Sequence, residues 1–385
     1  IYQRTKDAGL EGPYILSDRR YKDSRILFYR YGGFKSMQLL QIDGTKQAVI
    51  VSPEGEHVPD DRLPYFVLPK WVKVPFDDGP NAANRGTTVL NDRYIIDGVL
   101  GFSNTGGVYS GTDSKTGQAI VIKEARPYTA FWAHGLLLVD GVALLEREYR
   151  VLRRLSGTGV VPKPIDLFVE WEHTFLVEER INAPTYQQYW ASEQHLFGPY
   201  IRNTVKVGAF IPKFQDLAQS LLDCVERVHK SGVVLGDLSH YNVLVDPETL
   251  HTWLIDFESA LIVDDNDEFE SFSKRWVTPG FGRSDRLEGA ALTYADDYYA
   301  LGMLLYGAIA PIQPLFNLNP AARDMILDRF VEMGLPVEVK EVIHGLWRGE
   351  IQEVRRILSR WKDSLHEIKD PEKEGLTVSG LLVNA

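Results

Sequence analysis

Three oxygen-bearing side chains give the first sign of chemistry in this chain. Asp237 and Asn242 stand five residues apart in the run Val233-Val234-Leu235-Gly236-Asp237-Leu238-Ser239-His240-Tyr241-Asn242-Val243-Leu244-Val245, between an apolar entry and a β-branched exit. A short hairpin turn at Asp246-Pro247-Glu248 then leads to Trp253-Leu254-Ile255-Asp256-Phe257. Such ligands suit Mg²⁺, which is held by one or two carboxylates together with substrate phosphates. Asp237, with no second carboxylate beside it in the sequence, is free to orient or deprotonate a hydroxyl. Further upstream, the buried-looking run Ala119-Ile120-Val121-Ile122-Lys123 ends in an ammonium group that needs a partner. Leu144, Val151, Leu152 and Leu155 define one helical face, and Glu148, unlike Glu146, falls on it. An inward carboxylate without a cation costs several kcal/mol, so a Lys123 to Glu148 ion pair is expected, the alternative being a solvated Glu148 at the helix edge.

The elements that must position these groups follow from pattern. The strand-prone run 94–100 enters Gly101-Phe102-Ser103-Asn104-Thr105-Gly106-Gly107-Val108-Tyr109, which reads as a glycine-rich hairpin. Glycines let backbone N–H groups approach phosphate oxygens, although a plain turn has the same signature. Phe214, Leu217, Leu221, Val225 and Val228 predict an amphipathic helix that stops at Gly232. Residues 1–86 form a β-prone region ending in a breaker-rich linker, 87–181 read as strands around one helix, and 182–368 are mostly helical. The charged, then weakly apolar, stretch 369–385 reads as a linker.

Composition narrows the function classes. The chain has 385 residues and a formal charge of -11, so no excess of Lys and Arg is present to neutralise a nucleic-acid backbone, and no nucleic-acid partner is expected. Its one cysteine, Cys224, rules out an intrachain disulfide or a thiolate zinc site and suggests a reducing, cytoplasmic setting. His229, His240 and His251 lack a spaced partner set for zinc. The nearest apolar run, 301–312, is too short to span a bilayer, so no membrane partner is expected. The chain starts at Ile1 without an initiator methionine, which suggests sequence upstream. Nothing in the pattern indicates an oligomeric state.

The order of glycine loop, strand lysine, helix glutamate, Asp-x-x-x-x-Asn and Asp-Phe-x resembles the protein kinase fold over about residues 88–365. That resemblance implies an α+β, bi-lobal fold using Mg²⁺ with ATP or another nucleoside triphosphate. Gly101, Ser103, Gly106, Val108 and Lys123, with the strand end at Glu179, would meet the nucleotide; Glu148 would brace Lys123. Asp237 would be the catalytic base, Asn242 and Asp256 would hold magnesium, and Asp297 would brace the catalytic loop from the central helix. The departures are informative. Ser103 stands at the second glycine position, Leu235-Gly236 replaces the usual His-Arg pair, and Ser239 replaces the lysine two residues after the base. Without that arginine, activation by phosphorylation is not expected. Glu258 stands at the glycine of Asp-Phe-Gly, as in small-molecule phosphotransferases, and Asp285 at the glutamate that ends the activation segment. The acidic run Asp264, Asp265, Asp267, Glu268 and Glu270 reads as a solvated loop or a lure for basic substrates.

Glu11-Gly12-Pro13-Tyr14-Ile15-Leu16-Ser17-Asp18-Arg19-Arg20-Tyr21, Phe28-Tyr29-Arg30-Tyr31-Gly32-Gly33-Phe34, Leu63-Pro64-Tyr65-Phe66, Gly236-Asp237-Leu238-Ser239 and Lys123-Glu124-Ala125-Arg126-Pro127 resemble class III lanthipeptide synthetases, which join a phospho-Ser/Thr lyase, a kinase and a cyclase. The resemblance implies a small β-rich, partly lyase-like region before the kinase, no cyclase, and a precursor peptide of leader plus core as partner. Arg20, Lys22, Arg25 and Arg30 form a basic cluster able to hold a phosphate; a salt-bridged sheet edge fits them equally well. Two further readings stay open: a phosphotransferase acting on aminoglycosides or choline, and an inactive module that binds a leader peptide. The aromatic stretch from Tyr128 to Trp132 would serve as a leader groove or as core packing.

Overall fold

The computed structural model describes residues 1–368 other than 16–17, 34, 42–45, 61–65, 75, 77–87, 130–131, 135–136, 193–203, 265–276, 311, 313–315 and 317–318. The expected linker from 77, the tail from 369 and most of the acidic run after Asp264 lie outside the described residues. The chain divides into two compact units, residues 1–146 with 164–180 and residues 147–163 with 181–385.

In the first unit, helix α1 (Tyr2–Asp7) precedes short strands, as the β-prone runs predict. Strand β1 (Arg19–Arg20) pairs with β2 (Phe28–Tyr29), and β3 (Gln38–Leu40), β4 (Lys46–Val51) and β5 (His57–Pro59) form a second small antiparallel sheet. Next come β6 (Val89–Leu90), β7 (Tyr94–Phe102), β8 (Gly107–Asp113), β9 (Ala119–Ala125), a hairpin of β10 (Trp132–His134) and β11 (Leu137–Val139), helix α2 (Gly141–Leu155), and β12 (Pro164–Glu170) with β13 (His173–Glu179). The main sheet is antiparallel, in the order β12-β13-β9-β8-β7-β6. Period-two alternation explains its core: Ile120 and Ile122 of β9 bury with Phe175 and Val177 of β13, Leu90 and Tyr94. Full burial of each such aliphatic or aromatic side chain contributes about 1.5–3 kcal/mol. The β10–β11 hairpin is where the sequence showed only an aromatic insertion. Helix α2 begins directly after it.

The second unit takes the C-terminal part of α2, α3 (Tyr186–Ser192) and α4 (Thr204–Lys230), followed by β14 (Val233–Val234), β15 (Val243–Val245), β16 (Thr252–Leu254) and β17 (Leu261–Ile262). Phe214, Leu217, Leu221, Val225 and Val228 are all buried along α4, and Gly232, at φ +74°, takes the left-handed conformation that turns the chain out of the helix. Strand β15 pairs with β16 and β14 with β17. Helices α5 (Ser284–Leu287), α6 (Tyr294–Gly307), α7 (Ala321–Glu332), α8 (Val337–Arg348) and α9 (Ile351–Ile368) complete it. Apolar nearly all round, α6 is the buried central helix; the Thr293 N–H, just before it, donates to Asp296 Oδ2 at 2.8 Å. No helix among the described residues is long and apolar enough to cross a membrane.

Candidate active site

In the first unit the β7–β8 hairpin is the glycine-rich loop. The Ser103 N–H donates to Gly106 O at 2.8 Å, and the Thr105 N–H to Ser103 Oγ at 3.2 Å, so the residue at the second glycine position folds the tip on itself. A Cβ on Gly106 would lie 1.6 Å from Glu124 O, whereas one on Gly101 would meet nothing within 4 Å. Gly106 is therefore required by close backbone approach and Gly101 is not. Lys123 lies between Val108 and Leu176 in register, and its Nζ is 3.6 Å from Glu178 Oε1, with the two side chains 15% and 5% exposed. Sequence reasoning missed Glu178. Its signal was a carboxylate directly after the apolar run 175–177, two residues on from Leu176 and so on the same face of β13. Glu179 ends the same strand opposite Ile120.

The basic residues of the N-terminal part are already engaged. Arg20 pairs with Glu172 and lies over the Tyr14 and Phe28 rings, Arg25 pairs with Glu11, and Arg30 Nη1 is 3.9 Å from Asp60. Lys22, at φ +53°, sits over the Tyr2 and Tyr21 rings. Arg20, Arg25 and Arg30 thus each face a carboxylate, and Lys22 faces two rings.

In the second unit, the catalytic loop is held from several directions. Asp297, 1% exposed, accepts the Leu235 N–H on Oδ2 at 2.8 Å and the Gly236 N–H on Oδ1 at 3.0 Å, as a brace should. His229 adds a contact that the sequence did not suggest, its Nε2 lying 2.8 Å from the same Oδ2. The missing arginine before the base has a backbone reason. Gly236 sits at φ +79°, and a Cβ there would stand 2.8 Å from Ser259 O. Its charge has a counterpart in Arg286, 3% exposed, whose guanidinium acts on Asp237, Asp296 and Asp297.

Asp237 Oδ1 accepts the Thr278 N–H at 2.8 Å, its carbonyl accepts from Asn242 Nδ2 at 3.0 Å, and Asn242 O accepts the Ile255 N–H at 3.0 Å. Asp237, the candidate metal ligand Asn242 and the segment leading to Asp256 thus form one hydrogen-bonded unit. Burial raises the Asp237 pKa, Thr278 opposes the rise, and the Asp256 charge adds to it. Asp237 thus has a carboxylate neighbour in space, Asp256, as the order of the motifs leads one to expect, although none stands beside it in the sequence. Asp256 is exposed at φ +66° and its carboxylate lies within 4.8 Å of those of Glu148 and Glu258. Glu148, 1% exposed, accepts the Phe257 N–H on Oε1 at 3.2 Å, and its neighbour Arg147 donates from Nε to Ala260 O at 2.8 Å. Consecutive residues of α2 thus grip the segment after Asp256. The donor set fits Mg²⁺: every candidate atom is oxygen, and with the Asn242 amide nitrogen turned to Asp237 O, its Oδ1 is the atom left for a cation.

Comparison with known proteins matches residues 4–88 to the RamC N-terminal domain and residues 94–347 to the protein kinase domain. The chain is 35% identical over 81% of its length to a probable SapB synthase of Streptomyces coelicolor, covering 32% of that protein. It is 27% identical over 62% of its length to CBL-interacting serine/threonine-protein kinase 16 of Arabidopsis thaliana, and 28% over 58% to the serine/threonine-protein kinase PkaA of Streptomyces coelicolor. The chain spans 48% and 40% of those two, and so covers about a third to a half of the length of these three relatives.

Proposed function

From the premise that this chain belongs to the protein kinase family, with a RamC-type N-terminal domain ahead of the catalytic fold, we propose that it transfers the γ-phosphoryl group of a nucleoside triphosphate to Ser and Thr of a ribosomally made precursor peptide. The observation that carries the chemistry is Asp237, held at Oδ1 by Thr278 on a loop braced by Asp297. The similarity to a SapB synthase and the RamC-type domain carry the choice of a peptide that goes on to dehydration and lanthionine formation.

In this reading Lys123 binds the α- and β-phosphates, while Gly101, Ser103, Gly106 and Val108 cover them and the backbone at Glu179 meets the base. Asp237 orients the peptide hydroxyl and takes its proton as the hydroxyl oxygen attacks phosphorus and the nucleoside diphosphate departs. Asp256 and Asn242 would hold Mg²⁺, which neutralises phosphate charge when bound. The phosphorylated side chain is the substrate of a phospho-Ser/Thr lyase step. We assign the reaction to the cytoplasm, where the single cysteine stays reduced.

Incubating the chain with Mg²⁺, ATP and a Ser-containing precursor-like peptide should add one phosphate, and Asp237→Asn should cut turnover about 10²- to 10⁴-fold, the range for a lost general base, while nucleotide binding persists. A further loss of phosphoric acid would reveal lyase activity. The small-molecule alternative keeps one supporting observation, the Glu258 carboxylate beside Asp256. Phosphorylation of an aminoglycoside or choline with no peptide modified would replace our reading with that one.

A further inference from the structure

We propose that Arg126 is the positioning residue that holds the glycine-rich loop for nucleotide, and that Tyr14 of the N-terminal domain completes its seat. The proposal rests on the kinase reading above. Arg126 is 3% exposed, just past the end of β9. Its Nη1 donates to Ser103 O at 3.1 Å and its own backbone N–H to Thr105 O at 2.7 Å, so one residue fixes two carbonyls of the loop tip. The other edge of the guanidinium is committed to Glu124, with Nε and Nη2 donating to the two carboxylate oxygens at 3.1 and 2.9 Å.

Glu124 is itself fixed. Tyr109, on the strand leaving the loop, donates its hydroxyl at 2.7 Å, and His173 Nδ1 lies 2.6 Å away. Burial alone would raise the Glu124 carboxyl, yet His173, Tyr109 and Arg126 together hold it at about 2, so it stays ionised and the arginine stays anchored. Tyr14 closes the arrangement from the N-terminal domain: the Arg126 guanidinium lies 5.7 Å over its ring, and the ring packs edge-on to His173 at 5.0 Å. Arg20, paired with Glu172, covers another part of the same ring.

The consequence for nucleotide binding is entropic. Phe102, Ser103 and Asn104 are exposed, and a loop free to sample conformations must be ordered when nucleotide binds. Arg126 does that ordering in advance. A lysine keeps the charge but has no planar fork to hold Glu124 and Ser103 together.

The test measures the dissociation constant of ATP and hydrogen exchange at residues 101–107 in the full chain, with the KM for ATP and kcat on the peptide. Arg126→Lys should raise Kd and KM about five- to tenfold with kcat within about twofold, and speed exchange in the loop. Tyr14→Ala should raise Kd about two- to threefold through the weakened seat. Arg93→Ala is the control, since Arg93 makes an equally bidentate pair with Asp113, at 2.8 and 2.7 Å, at the opposite end of the β7–β8 hairpin. It should lower the melting temperature and leave Kd unchanged. Tight ATP binding by the wild type, with unchanged Kd and loop exchange in Arg126→Lys, would overturn the clamp alone; an unchanged Kd in Tyr14→Ala would overturn the part given to the N-terminal domain. Wild-type protein that binds no ATP would instead overturn the kinase reading and the clamp's function with it.

Discussion

Asp237 shows how a single residue's environment sets the conditions under which it works. Its carboxyl is pushed up by burial, with Thr278 pulling the other way and the Asp256 charge pushing further. A base must be deprotonated to act, so turnover should rise with pH through the Asp237 pKa. The acid limb of kcat should therefore lie above the ordinary aspartate value of 3.8. A pH profile of peptide phosphorylation that stays flat down to that value would show that Asp237 is not the titrating base. The residue types were legible in the sequence because phosphoryl transfer demands a narrow set of side chains in a fixed order. What was not legible was each residue's neighbours. Glu178 beside Lys123, His229 on Asp297 and Arg286 acting on Asp237 come from 55, 68 and 49 positions away, and no local pattern connects them.

At the scale of elements, the glycine loop separates two glycines that look alike in sequence. Gly106→Ala places a Cβ 1.6 Å from Glu124 O, so the loop must lift from β9, and the KM for ATP should rise about tenfold through lost pre-ordering. Gly101→Ala meets open space and should leave KM nearly unchanged; equal effects of the two would contradict the geometry. The Glu124 cluster makes a second prediction at this scale. Its folded pKa of about 2 is depressed from 4.5, so its contribution is fully present above pH 4.5 and is lost as pH falls toward 2. That contribution is on the order of 3 kcal/mol. Acid unfolding followed by circular dichroism should be less steep in that window for Glu124→Gln than for the wild type. The α4 and α2 faces were readable because their apolar spacing matches the helical period. The β10–β11 hairpin was not, since three-residue strands are too short to show a period.

For the molecule as a whole, a kinase that binds Mg²⁺ and ATP only when folded must be stabilised by them. At ATP about 100-fold above Kd, linkage adds about 2.7 kcal/mol, enough to raise the melting temperature by a few degrees. Differential scanning fluorimetry should show that rise with Mg²⁺ and ATP together, and Asp256→Asn should remove most of the dependence on the metal. A chelator that leaves the rise intact would contradict the assignment of Asp256. By itself the sequence determined the class of chemistry, the order of the motifs and the helices with a sustained period, because those depend on residue type and local spacing. Only the tertiary structure decided which groups share a site: that a left-handed Gly236 stands where an arginine is usual, that the Arg126 guanidinium reaches Ser103 O in the glycine loop, and that Arg20 and Arg25 are already paired. Strand pairing and burial bring distant residues to within hydrogen-bonding distance, and neither is written in the spacing along the chain.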